Sequence, residues 1–105
     1  MITEFITWVQ DVKHLQPNTA IAYEKDLRSF AIWASRKNLR WSTIKQEDIE
    51  AYVTDLNQEG KSAATIRRKV SVIRRLTTWA YYHHIVETNA GKYVSSPKER
   101  ETLPV

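Results

Sequence analysis

Ser62-Ala63-Ala64-Thr65-Ile66-Arg67-Arg68-Lys69-Val70-Ser71-Val72-Ile73-Arg74-Arg75-Leu76-Thr77-Thr78-Trp79-Ala80-Tyr81-Tyr82-His83-His84 contains no Gly, Pro, Asp or Glu. Ile66, Val70, Ile73, Thr77 and Ala80 recur in it at steps of three and four, the period of a helix with one buried face. Ser62 is a good N-cap, and Gly60 just before it is a good terminator of the preceding element. A helix is predicted from Ala63 to about His84.

Three more helices are read upstream. Ile2, Phe5, Ile6, Val9 and Val12 make one apolar face over roughly residues 2–15. Tyr23, Leu27, Phe30, Ala31 and Ala34 mark a second helix from about Pro17 to Arg36, with Pro17 suited to the first helical position and Asn18 an alternative cap. The third runs from near Lys45 to about Gln58 and buries Ile49, Tyr52, Val53 and Leu56. Ile44 and Ile49 are spaced for a hydrophobic staple around its start, with Glu47 and Asp48 complementing the helix dipole. After His84 the periodicity fades into an Asn89-Ala90-Gly91 turn. Residues 1–94 are expected to form the domain, and residues 95–105, including Ser96-Pro97-Lys98, to have linker character.

The composition agrees with an all-α chain. Among 105 residues there are only two Gly and three Pro, too few for turn-rich sandwiches or barrels, and 42% apolar residues with four Trp, enough for one core. The absence of Cys excludes a disulfide framework and thiolate chemistry. No apolar run approaches the ~20 residues of a membrane span, and no signal peptide is apparent, so a soluble cytoplasmic domain is expected.

Charge is segregated along the chain. Between Lys45 and Gly60 five acids face one base, whereas Lys61 to Val86 carries six bases and no acid, within a net charge of +4. On a helical wheel with the apolar stripe inward, Arg68 and Arg75 point outward, Ser71 and Thr78 lie beside them, and Arg67 and Arg74 flank them. Guanidinium forks and hydroxyls suit phosphates and guanine edges. A solubilising face would interleave Glu for i,i+4 pairing, and this one does not. The outer face of the second helix adds Lys25. Thr19, near that helix's start, and Ser62 and Thr65 at the start of the fourth lie where a helix dipole favours phosphate. The DNA-contact candidates are therefore Thr19, Lys25, Ser62, Thr65, Arg67, Arg68, Ser71, Arg74 and Arg75, with Arg68 and Arg75 foremost for the groove. If five to six phosphates are neutralised, log affinity should fall against log salt with a slope of about −4 to −5.

No catalytic constellation is present. His83 and His84 are adjacent and point apart, and with His14 they make no metal-ligand spacing. Ser62 lacks partners for nucleophilic catalysis, and Tyr81 and Tyr82 read as packing aromatics. No metal and no cofactor is expected, and this chain alone is not expected to be an enzyme.

The stretch Asn18-Thr19-Ala20-Ile21-Ala22-Tyr23-Glu24-Lys25-Asp26-Leu27-Arg28-Ser29-Phe30 resembles the "NT…Y..DL..F" signature of the N-terminal core-binding domain of tyrosine recombinases, the phage-integrase and Xer-type site-specific recombinases. Glu47 to Tyr52 and Gly60 to Arg74 resemble the family's third and fourth helices, in the same order. Asn89-Ala90, Pro97-Lys98 and Leu103-Pro104 resemble its exit toward a catalytic domain. The resemblance implies a four-helix orthogonal, SAM-like bundle that clamps double-stranded DNA at a recombination core site, with the second and fourth helices toward the major groove. It implies as partners a C-terminal catalytic domain, which this chain lacks, and other recombinase protomers on DNA, with no membrane. The family's catalytic Arg, Lys, His and Tyr belong to that other domain, so Tyr81 and Tyr82 are not the nucleophile.

Two other readings compete. A stand-alone helix-turn-helix regulator would need a turn of 3–4 residues, shorter than the turns read here. A protein-interaction module would use Ile32, Trp33 and Trp41, of which Ile32 and Trp33 lie off the core stripe and are either an exposed patch or covered by the first helix.

Overall fold

A computed structural model describes residues 1–95 as four helices: α1 (Ile2–Asp11), α2 (Pro17–Arg36), α3 (Gln46–Gln58) and α4 (Ala63–Tyr82). Among the described residues there is no strand, so the fold class is all-α as expected. The expected linker lies outside the described residues from residue 96 onward.

The helix starts follow local chemistry. Pro17 occupies the first helical position of α2 behind an extended Gln16. Ser62 caps α4, its Oγ accepting from the Thr65 N–H at 3.1 Å. Lys45 has no side-chain acceptor to offer α3. Asp48 compensates, its carboxylate accepting from the Lys45 N–H at 2.9 Å, and Ile44 and Ile49 are both buried as the staple requires.

Three helices end in one device, a left-handed residue that turns the chain so that its own N–H and the next one bond back to the last turn. In α2 it is Asn38, in α3 Gly60 and in α4 His84, with φ of 60°, 84° and 58°. The amides of Leu39, Lys61 and Ile85 reach the carbonyls of Ala34, Leu56 and Ala80 at 2.9, 3.1 and 2.8 Å. Only Gly60 takes this conformation without a Cβ penalty. His84→Gly is therefore expected to stabilise the domain by about 0.5–1 kcal/mol, read as a thermal midpoint several degrees higher. A lower midpoint would mean that the His84 side chain contributes more than its backbone strain costs.

The first helix is shorter than its apolar spacing suggested. It stops at Asp11, with Val12 left 54% exposed. On a continued helix Leu15 would sit about 240° around from Val9, on the solvent side. Stopping early and passing His14 through φ 55° lets the Leu15 amide bond to the Val9 carbonyl at 3.1 Å and turns its side chain onto the core.

α1 packs on α2 and α4, and α2 and α3 each pack on α4. Phe5, Val9, Leu27, Phe30, Ile49, Ile66, Val70, Ile73 and Leu76 are fully buried at the centre. Phe30 anchors an aromatic cluster with Trp33, Trp41 and Tyr52, centroids 5.8, 5.6 and 4.9 Å away. Trp33 is therefore not a free patch, and its cover includes α3. It packs on Tyr52 of α3 at 5.1 Å and donates its indole N–H to Asp55 at 2.8 Å. Of the residues proposed for an interaction surface, Ile32 is the exposed one, while Trp33 and Trp41 are half-buried against the core.

Beyond α4 the chain returns to the bundle. Val94 is buried, and Gly91 lies so close to α4 that a Cβ there would meet Thr77 Oγ1 at 2.5 Å. The fading periodicity after His84 concealed this return, because a single buried Val carries no period.

Candidate nucleic-acid interface

α4 presents its polar residues in a stripe. Arg67, Ser71, Arg74, Arg75, Thr78 and Tyr82 fall on one side of the helix, opposite the buried Ile66, Val70, Ile73, Thr77 and Ala80. Together with Trp8 and Lys13 from α1 and its exit, they line an open cleft of about 720 Å³. Val70, Trp79 and His83 complete the lining, and no carboxylate is among it. The arrangement combines four cations, two hydroxyls and aromatic surface on one concave face, a donor set that suits phosphate oxygens.

The aromatic wall is anchored in the core through Trp79, with Trp8 packed against it. Trp79 packs on Phe5 at 5.5 Å and on Trp8 at 6.4 Å. The His83 ring lies 5.2 Å from Trp79, and its Nδ1 is 3.0 Å from the Trp79 carbonyl oxygen. Lys13 Nζ sits 5.6 Å from the centre of the Trp8 ring. Sequence reasoning missed Lys13, a lone cation past a helix end; only the fold brings it to α4.

The sequence-predicted residues separate into three groups. Arg67, Ser71, Arg74 and Arg75 come together in the cleft. Arg74 donates to the Lys92 carbonyl at 3.3 Å, and Arg75 donates to the Tyr23 hydroxyl at 2.7 Å while its guanidinium lies over that ring. Thr19, Lys25, Ser62 and Thr65 are not in the cleft. Lys25 is exposed on α2, Thr19 is half-buried in its first turn, and Ser62 and Thr65 are bonded to each other as the α4 cap.

Arg68 stands apart. Its wheel position is outward, yet its guanidinium turns back to α2, where Nε and Nη2 donate to the two oxygens of Asp26 at 2.8 and 3.0 Å. Lys69 Nζ reaches the same carboxylate at 3.2 Å. Asp26 is only 3% exposed and Lys69 is buried as well. Burial alone would raise the Asp26 carboxyl, but the hydrogen bonds from Arg68 and Lys69 and their charges outweigh it and hold it below the usual carboxylate range. The hydrogen bond to Asp26 in turn raises Arg68. Tyr52 stays protonated, since burial, with the charges of Asp26 and Glu59, pushes its hydroxyl up to about 12. The acid-free run from Lys61 to Val86 is thus not wholly free charge: two of its six bases have their counter-ion on another helix.

Among the described residues no cluster of His, Asp and Glu could hold a metal ion, and no helix is long and apolar enough to cross a membrane. The α3–α4 connection, Glu59 to Ser62, is four residues long. This corrects the expectation of longer turns, and turn length therefore does not exclude a helix-turn-helix motif.

A small helical domain with one cationic, acid-free concave face is the class that fold and site define. Residues 2–84 match the profile of the phage integrase N-terminal SAM-like domain, and the chain belongs to that family. It is similar to tyrosine recombinase XerC of Listeria monocytogenes, 28% identical over 96% of this chain and 34% of the relative. Similar matches are XerC of Roseiflexus castenholzii, 26% identical over 98% and 33% of the two chains, and tyrosine recombinase XerD of Oceanobacillus iheyensis, 28% identical over 98% and 35%. The chain spans about a third of the length of these curated relatives. No solved structure matches it significantly.

Proposed function

We propose that this chain is the core-binding DNA-binding domain of a tyrosine site-specific recombinase. In this reading it clamps one face of a recombination site in the cytoplasm while a separate catalytic domain cuts and rejoins strands beside other protomers. Residues 1–94 form the clamp and residues 95–105 the connection toward the catalytic part. The observation that carries the reading is the acid-free α4 stripe of Arg67, Ser71, Arg74 and Arg75, joined in one cleft by Lys13 from the exit of α1. Lys25 on α2 extends the cationic surface, and Thr19, Ser62 and Thr65 offer hydroxyls at two helix starts.

Lys13, Lys25, Arg67, Arg74 and Arg75 have no carboxylate partner among the described residues. Five phosphate contacts release counterions so that log affinity falls against log salt with a slope of about −4.5. Fluorescence anisotropy of the domain with a labelled duplex across a salt series reads this directly. Binding is expected to be weak, about micromolar at low salt, for one half of a clamp. A complex insensitive to salt, or none at low salt, would overturn the reading.

A further inference from the structure

We infer that Arg68, braced by Asp26, reads a base edge in duplex DNA, while the phosphate-binding charge of this face comes from other residues. This rests on the DNA-binding reading above and assigns Arg68, which does not line the cleft, a distinct role. A guanidinium holds five N–H groups in one plane. Asp26 takes two of them, one on Nε and one on Nη2. The second Nη2–H and an Nη1–H remain as an end-on, parallel fork, the geometry that pairs with O6 and N7 of guanine. The Arg68 side chain is 52% exposed and that of Asp26 only 4%, so the brace is buried and the free fork meets solvent.

The same fork would also fit two phosphate oxygens. Charge decides between the two partners. Phosphate affinity grows with the net positive charge that displaces counterions. Asp26 is shared by Arg68 and Lys69, so the three groups carry one net positive charge between two cations, and Arg68 adds less to that attraction than an arginine without a carboxylate partner. What it supplies is direction: a guanidinium fixed by two hydrogen bonds to a buried carboxylate loses little freedom on docking and holds one orientation. Arg67, Arg74 and Arg75 have no carboxylate partner among the described residues, so their charge is uncompensated; Arg74 and Arg75 are each held by one neutral acceptor rather than by a bidentate pair.

The test is selection from a randomised duplex library followed by sequencing, with the wild-type domain, Arg68→Lys and Asp26→Asn, beside a salt series for Arg68→Ala and Arg67→Ala. The wild type is expected to enrich guanine at one position, roughly tenfold or more. Arg68→Lys keeps the charge and loses the fork, so that preference disappears. Asp26→Asn loses it too while binding of random duplex is held or tightened, whereas a purely architectural role would weaken binding to every sequence alike. If Asp26→Asn fails to fold, Arg68→Lys decides alone. Arg68→Ala should make the salt slope shallower by less than half of what Arg67→Ala removes. The inference is overturned if Arg68→Lys enriches the same guanine, or if Arg68→Ala removes a full phosphate contact, about 0.9 of slope. A wild type that binds duplex with no base preference overturns it while leaving the DNA-binding reading intact. Failure to bind any duplex at low salt overturns both.

Discussion

Arg67→Ala combined with Arg75→Ala is expected to weaken duplex binding about a hundredfold at 0.1 M salt and to make the salt slope shallower by about 2. Each phosphate contact contributes about 0.9 to the slope, and 0.1 M lies one decade below the 1 M reference, so each lost contact costs nearly tenfold. The pair is chosen because neither guanidinium has a carboxylate partner among the described residues and both line the cleft. Neither belongs to the hydrophobic core, so the fold should survive, with stability changed by about 0.5 kcal/mol or less. Anisotropy gives the affinities, and circular dichroism confirms that the helices persist. An unchanged slope in a folded variant would mean that these arginines are only solvated surface.

Asp26→Ala should be the most damaging single change to stability among the polar residues, at about 3 kcal/mol. The carboxylate is the shared acceptor of Arg68 and Lys69, and its loss leaves the Lys69 ammonium buried without a counter-ion. The low end of the usual range applies because Arg68 is half-exposed and returns to water. Denaturant melts measure the loss. The pH dependence carries a second signature. The Asp26 carboxyl is held below its ordinary value in the folded state, so the unfolded chain takes up its proton first as pH falls. The pair's stabilisation is fully present above about pH 4 and is lost as pH drops through the depressed folded value. Wild type and Asp26→Asn should therefore differ most above pH 4 and converge in acid. A gap constant down to pH 2 would mean that ionisation of Asp26 is not what holds α2 to α4.

Local chemistry was legible in the sequence, and long-range pairing was only partly so. Pro17 and Ser62 marked two helix starts, the Ile44–Ile49 staple marked a third, and the apolar spacing found the buried stripe of α4. These signals sit within a few residues of one another. Asp26 and Arg68 are 42 residues apart, and neither residue's neighbours announce the pair. A partial signal was nonetheless present: on the α4 wheel Lys69 falls about 20° from Ala80, on the edge of the buried stripe, and a buried Lys needs an acid. Counting it only as one of the six bases from Lys61 to Val86 hid that need. Trp33 was missed for a related reason, since its indole N–H found Asp55 on α3 and turned an apparent surface aromatic into packing.

Gly91 seats the exit segment against Thr77 and Arg74, and Val94 is buried beyond it, so the backbone leaves the bundle alongside the cationic cleft. Where this chain binds DNA as proposed, a second DNA-binding unit joined beyond this exit would start beside the cleft. Its docking would then be governed by the effective concentration that its tether sets, and no longer by encounter from solution. Two individually weak halves tied at this point gain avidity from geometry alone, and lengthening the tether would reduce it without altering a single contact.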